Sequence, residues 1–304
     1  MTRNPITVVI GIDMETDVGS FTPYYEGLVN GTPRLLDLFD ELGIETTFLF
    51  TGEAAAAHPE VAKECLTRGH EVGCHSYQHE TVGDPLFDLP GTKPILPHEV
   101  FPRIELNTEL VEKATGVRPV SFRCPRLWGS TAVVQSLAKL GYTADLTYPM
   151  YFYREQFEPY FVDLNDWTKP GDSTLLQIPN FADMTMESND PGLERDRDQW
   201  PLFRTIGGQY MLERSLAFDE FCRDKGIDTF LCYYIHPWEF WPVEESYNFG
   251  EATVIPDEFI TKNCGDVALD EFRVLLRGLL DAGAEFKMSK DLPELVRERQ
   301  AVRA

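Results

Sequence analysis

The sequence predicts an α/β fold of the βα-barrel kind in a single domain spanning residues 1–304, and three observations carry that prediction. Short β-rich apolar runs alternate with longer segments of helical periodicity. Glycines close most of those helical segments, at Gly43, Gly69, Gly116, Gly141, Gly226 and Gly283, each a few residues ahead of the next apolar run. A length of 304 residues is long for one sandwich but ordinary for one α/β barrel.

The first strand is expected over 6–12, where the chain runs straight into an apolar segment. A helix follows over 32–42, with apolar residues at 35, 36, 38, 39 and 42 and a stop at Gly43. Thr46-Thr-Phe-Leu-Phe50 then supplies the second strand, 45–50. The same cadence places helices at 55–68, 104–115 and 130–140, each ahead of a strand, at 71–75, 119–123 and 143–146. A strand at 174–178 precedes a helix at 208–224 and a strand at 229–235, and a helix at 266–282 with a strand at 284–288 ends the series. Three stretches break the cadence: 81–103, rich in Pro and Gly; 180–206, polar; and 237–265, which holds Trp238, Phe240, Trp241, Tyr247 and Phe249. Loops this long in a compact domain are usually functional, and 81–103 and 180–206 are expected to wall a cleft. The aromatics of 237–265 either pack that loop onto the barrel or offer a surface on which a sugar can stack.

Fifty acidic against 27 basic residues give a formal charge of −23, which repels nucleic acid and anionic membrane surfaces. No nucleic-acid partner and no membrane partner are therefore expected. No stretch approaches the ~20 apolar residues of a membrane span. The N-terminal residues lack the h-region of a secretory signal, so the expected location is cytoplasmic. The six cysteines contain no CxxC pair and several sit in apolar surroundings, which points to buried, reduced thiols.

Four segments with chemical potential lie just past predicted strands. In His75-Ser-Tyr-Gln-His79 two imidazoles four residues apart can meet on one side of a helical turn and offer two nitrogens to one ion. Two hydrogen-bonded structural histidines would show the same spacing. The first strand ends in Asp13-Met14-Glu15, where alternation puts both carboxylates on one side. Acidic groups at such a site need a partner or a metal. Asp17, further along, suits a turn or a helix cap. In Phe122-Arg123-Cys-Pro125-Arg126 a fixed arginine can orient a catalytic carboxylate through a forked hydrogen bond. In Tyr233-Tyr-Ile-His236-Pro-Trp238 a strand-terminal histidine can serve as an acid or as a satisfied structural residue.

Taken in order, these segments resemble the NodB-type polysaccharide deacetylases over about residues 6–290. The resemblance rests on Thr46–Phe50, Gly69-His-Glu-Val-Gly-Cys-His75-Ser-Tyr-Gln-His79, Thr115-Gly-Val-Arg-Pro-Val-Ser-Phe-Arg123-Cys-Pro125, Asp166-Trp167-Thr-Lys-Pro170, Leu176-Gln-Ile-Pro179 and Ile235-His236-Pro237. It implies a distorted (β/α)7-8 barrel and a divalent metal held by Glu15, His75 and His79. Zinc is the first expectation, with cobalt, nickel or manganese compatible with the mixed N/O donors. It implies Asp13 as base, Arg123 as its tether and His236 as acid, with Arg126, Asp166, Trp167 and Trp238 around the oxyanion and substrate. Separating the two acids by Met14 resembles the cytosolic branch, whose members often assemble as homo-oligomers. Arg126 stands where the family usually has tyrosine, which leaves the backbone donor and makes a carboxylate-bearing substrate conceivable.

The reaction so implied is hydrolysis of a non-peptide amide C–N bond, with release of acetate from an N-acetylated carbohydrate. The alternative is ring opening of a small cyclic amide or imide, which a pocket closed by the 81–103 and 180–206 loops would favour over a long groove. A remoter alternative is a carbohydrate-binding barrel without turnover, since fold does not fix function.

Overall fold

The computed structural model describes residues 4–19, 21–89, 92–189 and 196–303. Its strands are β1 (Thr7–Met14), β2 (Thr47–Phe50), β3 (Glu71–Cys74), β4 (Ser121–Phe122), β5 (Ala144–Asp145), β6 (Tyr160–Asp163), β7 (Asp166–Pro170), β8 (Leu176–Gln177), β9 (Phe230–Ile235), β10 (Tyr247–Asn248), β11 (Thr253–Val254) and β12 (Glu285–Phe286). The helices are α1 (Glu26–Leu42), α2 (Gly52–Ala57), α3 (Pro59–Thr67), α4 (Val100–Thr115), α5 (Thr131–Leu140), α6 (Met150–Tyr153), α7 (Leu202–Thr205), α8 (Gly208–Lys225), α9 (Glu258–Thr261), α10 (Asp266–Asp281) and α11 (Leu292–Arg303).

Strands β9, β1, β2, β3, β4, β5 and β8 pair in that order, all parallel, while β12 pairs with the start of β1. Beyond β8 the Phe181 N–H donates to the Cys232 carbonyl of β9 at 2.8 Å, so the sheet curls round and is drawn together by backbone bonding outside the regular ladder. This is the distorted barrel expected. Eight strands lie where the sequence placed them, within one to two residues at most ends. Helix ends follow the glycines: Gly43, Gly116, Gly141 and Gly226 all take the left-handed conformation that a Cβ disfavours.

The departures have local causes. Helix α1 begins at Glu26, ahead of the expected 32, and runs through Pro33. Gly27 and Gly31 let it approach so closely that an added Cβ would lie 2.1 Å from Trp238 Cα and 2.0 Å from the Pro237 oxygen. The segment expected as one helix at 55–68 is two, broken before Pro59, which starts α3 at a position where its missing N–H costs nothing. The expected loop 81–103 is shorter, because α4 starts at Val100 and tolerates Pro102 in its first turn. The 180–206 stretch contains α7, with 190–195 outside the described residues, and 237–265 contains the β10–β11 hairpin and α9. The pair β6–β7 is an antiparallel hairpin on β8 that the βα cadence did not anticipate.

Five of the six cysteines are buried and all are free, as expected. Among the described residues no helix is long and apolar enough to cross a membrane.

His70 provides a stability marker remote from the strand ends that carry the chemistry. Its Nδ1 accepts the Thr46 N–H at 3.2 Å, and the rings of Phe48 and Phe39 flank it at 5.2 and 5.7 Å. Burial holds its pKa down from 6.5 to about 4. The unfolded chain thus takes up this proton first, so the stability that neutral His70 contributes is complete above pH 6.5 and is lost as pH falls from 6.5 towards 4. The expected loss is about 2 kcal/mol. Denaturant unfolding at pH 7 and at mildly acidic pH should show a smaller drop for His70→Gln, which keeps an acceptor for Thr46; an equal drop would remove His70 from the account.

Candidate active site

The parallel register sets the chemical residues in one layer. Cys74 pairs with Phe122, so His75 and Arg123 follow side by side, and Ile12 pairs with Ile235, so Asp13 and His236 do the same. All of them lie at the carboxyl ends of the barrel strands, where loops can surround a ligand.

Arg123 is wholly buried. Its Nη1 donates to Asp13 Oδ1 at 2.7 Å and to the Gly11 carbonyl at 3.1 Å, and its Nε donates to the Leu146 carbonyl at 3.1 Å. Nη2 donates to the Tyr233 carbonyl at 3.2 Å and Asn180 Oδ1 at 3.3 Å. Gly11 is required for this approach, because a Cβ there would meet the guanidinium at 2.4 Å. The Arg123 carbonyl in turn accepts from His75 Nδ1 at 2.9 Å, which fixes that proton and turns His75 Nε2 towards the carboxylates, 3.6 Å from Glu15 Oε2 and 3.8 Å from Asp13 Oδ2.

Glu15 is 1% exposed, and His79 Nε2 lies 2.7 Å from its Oε2. Burial would raise the Glu15 carboxyl, but His79, His75 and His236 together hold it well below the usual carboxylate range. Burial keeps His79 below its ordinary value despite Glu15, favouring a neutral imidazole with a lone pair to give. Neither Glu15 oxygen completes a well-formed hydrogen bond, and donor atoms of Glu15, His75 and His79 all lie within 4.8 Å of one another. A buried anion with unsatisfied oxygens facing two imidazole nitrogens fits a divalent metal, and the structure thus brings together the three predicted ligands.

His236 reaches the opposite side of Glu15, with Nε2 3.8 Å from Oε1. Its Nδ1 donates to Glu239 Oε1 at 3.0 Å, and Arg204 Nε donates to Glu239 Oε2 at 2.6 Å; both supporting side chains are fully buried. Burial lowers the His236 pKa, but Glu239, Glu15 and Asp13 outweigh it and raise the value. Trp238 stacks on the imidazole, ring centroids 5.1 Å apart.

These groups floor a cavity of about 240 Å³. Its walls include Phe21, Phe87, Leu89, Tyr151, Trp200 and Ile260, drawn partly from the three long loops. Several lining residues, Val18, His79, Arg126 and Leu127, have φ between 57° and 59° without being glycine. Such backbone persists where the surroundings hold it, commonly at ligand sites.

Two predicted cleft residues are placed elsewhere. Asp166 is exposed at the start of β7, where its Oδ1 accepts from Thr168 N–H and Oγ1 at 3.1 and 2.7 Å. Trp167 is buried behind the site against Tyr148, Tyr153 and Gly129. Neither lines the cavity, and the group supporting His236 is Glu239. Its position three residues after His236, across a proline turn, was a readable signal; Arg204 offered none. Asp17 caps α1, accepting from Glu26 N–H at 3.0 Å and Gly27 N–H at 2.9 Å.

The barrel delivers a Glu/His/His donor set that could hold a metal ion, an arginine-held aspartate and a strand-terminal histidine to one cavity. The family model for polysaccharide deacetylase matches residues 17–144, which hold His75, His79, Arg123 and Arg126. A peptidoglycan deacetylase of Helicobacter pylori is 27% identical over 179 residues, 54% of this chain and 56% of that protein. A solved structure assigned to the polysaccharide deacetylases, from Mycobacterium smegmatis, superposes with a TM-score of 0.61 at 20% identity, covering 98% of this chain and 92% of that one. The Puue allantoinase structure superposes with a TM-score of 0.59 at 16% identity, covering 95% of this chain and 89% of that one. Over these residues the chain is similar to the polysaccharide deacetylases. It spans about half the length of the curated relatives it matches.

Proposed function

We propose that this chain is a metal-dependent hydrolase of non-peptide amide C–N bonds and that it removes the acetyl group from an N-acetylated sugar. One observation carries this reading: the Glu15, His75 and His79 donors meet at the floor of a cavity also lined by Asp13 and His236. Zinc is the metal we propose. A bound divalent ion would supply Lewis-acid polarisation of the amide carbonyl and acidify a water molecule.

The protein's own groups divide the proton work. Asp13, with one oxygen held by Arg123, keeps its other oxygen towards the ligand cluster and takes the proton of the attacking water. His236 carries a proton on Nε2 and gives it to the departing nitrogen, while Glu239 holds the imidazole by Nδ1. The apolar side chains on the walls lower the polarity around these groups and strengthen each of these charge interactions.

A second reading, ring opening of a small cyclic amide, is favoured by the cavity itself. Its volume of about 240 Å³ and its walls from loops on several sides suit a compact substrate. The same donors and proton carriers serve either substrate.

Metal content and acetate release from N-acetylated chito-oligosaccharides, before and after chelation, test the proposal. One metal per chain and chelator-sensitive acetate release, restored by zinc, are expected. Bound metal with ring opening and no acetate would select the second reading, and a metal-free protein under zinc-replete conditions would overturn both.

A further inference from the structure

Behind each of the two proton carriers stands a buried arginine. Arg123 holds Asp13, and Arg204, on α7, holds Glu239, whose other oxygen accepts from His236. The Arg204 side chain is fully buried, and its nitrogens spend themselves in three directions. Nε donates to Glu239 Oε2 at 2.6 Å, Nη1 to the Lys262 carbonyl and Nη2 to the Ile260 carbonyl. Its own carbonyl accepts from Asn263 Nδ2 at 2.8 Å, and the Gly265 N–H donates to the Glu239 carbonyl, also at 2.8 Å. The segment 260–265 is thus bonded to the same two residues that support His236, and Ile260 lines the cavity.

Stability alone does not call for this arrangement, because well-packed apolar groups commonly serve as well as a buried ion pair of similar volume. What the pair adds is charge and direction. Burial raises the Glu239 carboxyl, but Arg204 and His236 outweigh it and hold it below its ordinary value, so an anion faces the imidazole. Each oxygen is committed: Oε1 accepts from His236 Nδ1 and from the His236 backbone N–H at 3.0 and 2.9 Å, and Oε2 accepts from Arg204. The guanidinium also lies 5.9 Å from the centre of the Trp238 ring that stacks on His236. The imidazole therefore turns only by breaking contacts that lead to Arg204, and Arg204 moves only by releasing the wall.

We propose that Arg204 is a positioning residue for proton donation: it aims His236 through Glu239 and, through the Ile260 and Lys262 carbonyls, ties that aim to the cavity wall. The proposal rests on the hydrolytic reading for its reaction. In the step concerned the C–N bond breaks, its electron pair and the His236 Nε2 proton go to nitrogen, and the imidazole is left neutral with its Nδ1–H still on Glu239.

Two substrates test it with zinc present: an N-acetylated chito-oligosaccharide, whose amine leaves only with a proton, and 4-nitrophenyl acetate, whose phenolate leaves without one. Glu239→Gln keeps the Arg204 bonds to the wall but offers one oxygen to two donors. It should lower amide kcat by about 10- to 100-fold, part of the worth of a general acid, with far less effect on the ester and on amide KM. Arg204→Lys keeps a cation beside Glu239 but cannot reach both carbonyls, so amide KM should rise while most of kcat survives. Arg204→Met should show both losses, and all three variants should keep one metal per chain. Equal losses on amide and ester in Glu239→Gln, or an unchanged amide KM in Arg204→Lys, overturn the proposal and leave Arg204 a brace of the fold. A second readout needs no turnover: the His236 Nδ1 proton, seen by NMR of histidine-labelled protein, should lie far downfield and shift upfield in Arg204→Met. An unmodified chain that hydrolyses no amide yet shows that shift would keep the positioning of His236 and remove the hydrolytic reading instead.

Discussion

Asp13→Asn should yield a protein that still binds one metal per chain and whose turnover has fallen by about 10²- to 10⁴-fold, the range of a lost general base. The asparagine is nearly isosteric and can still accept from Arg123 Nη1, which now holds Asp13 Oδ1 at 2.7 Å. It cannot take a proton from water. Glu15→Gln and His79→Ala should behave differently, because both belong to the donor set within 4.8 Å and their loss leaves too few donors for tight metal binding. Metal stoichiometry after gel filtration, measured beside turnover, separates the two classes. If Asp13→Asn lost the metal while Glu15→Gln kept it, the two acids would have exchanged roles. The geometry argues for the assignment as given: Glu15 faces His75, His79 and His236, whereas Asp13 already spends one oxygen on Arg123.

The residues of this layer were legible because each follows a strand whose apolar run is plain in the sequence. Asp13, His75, Arg123 and His236 stand one residue beyond, or at the end of, such a run, and parallel pairing turns those positions into spatial neighbours. Asp166 and Trp167 misled for a related reason. They open a strand instead of following one: β7 is antiparallel to β6, itself antiparallel to β8, so β7 runs with the barrel strands and its start lies at the end opposite the layer formed past their carboxyl ends. The strand Tyr160-Phe-Val-Asp163 alternates in burial only in the folded structure, and the βα cadence passed it over. Trp200 lines the cavity from an irregular segment, and Tyr151 from the single-turn helix α6, too short for any periodicity to show. Glu239 was within reach of the sequence, three residues after His236 across Pro237, where the tight turn folds its carboxylate back onto His236.

Arg123→Met should destabilise the fold by about 3–5 kcal/mol, the cost of breaking a buried ion pair from one side. The guanidinium joins carbonyls that follow β5 and lie in β1 and β9, so its removal strips donors from Leu146, Gly11 and Tyr233 and leaves the Asp13 carboxylate buried with its nearest cation gone. Methionine fills much of the space and supplies none of those hydrogen bonds. Adding Asp13→Asn to Arg123→Met should therefore recover part of the loss, because no carboxylate is then left unpaired. Denaturant unfolding of both single variants and the double variant, at one fixed zinc concentration, reads the coupling directly. Simple addition of the two costs would show that the pair is not energetically coupled and that Arg123 acts only through the backbone. Turnover gives the second reading of the same cycle. Arg123→Met should fall towards the level of Asp13→Asn while keeping its metal, since an untethered base loses orientation before the ligand cluster loses a donor.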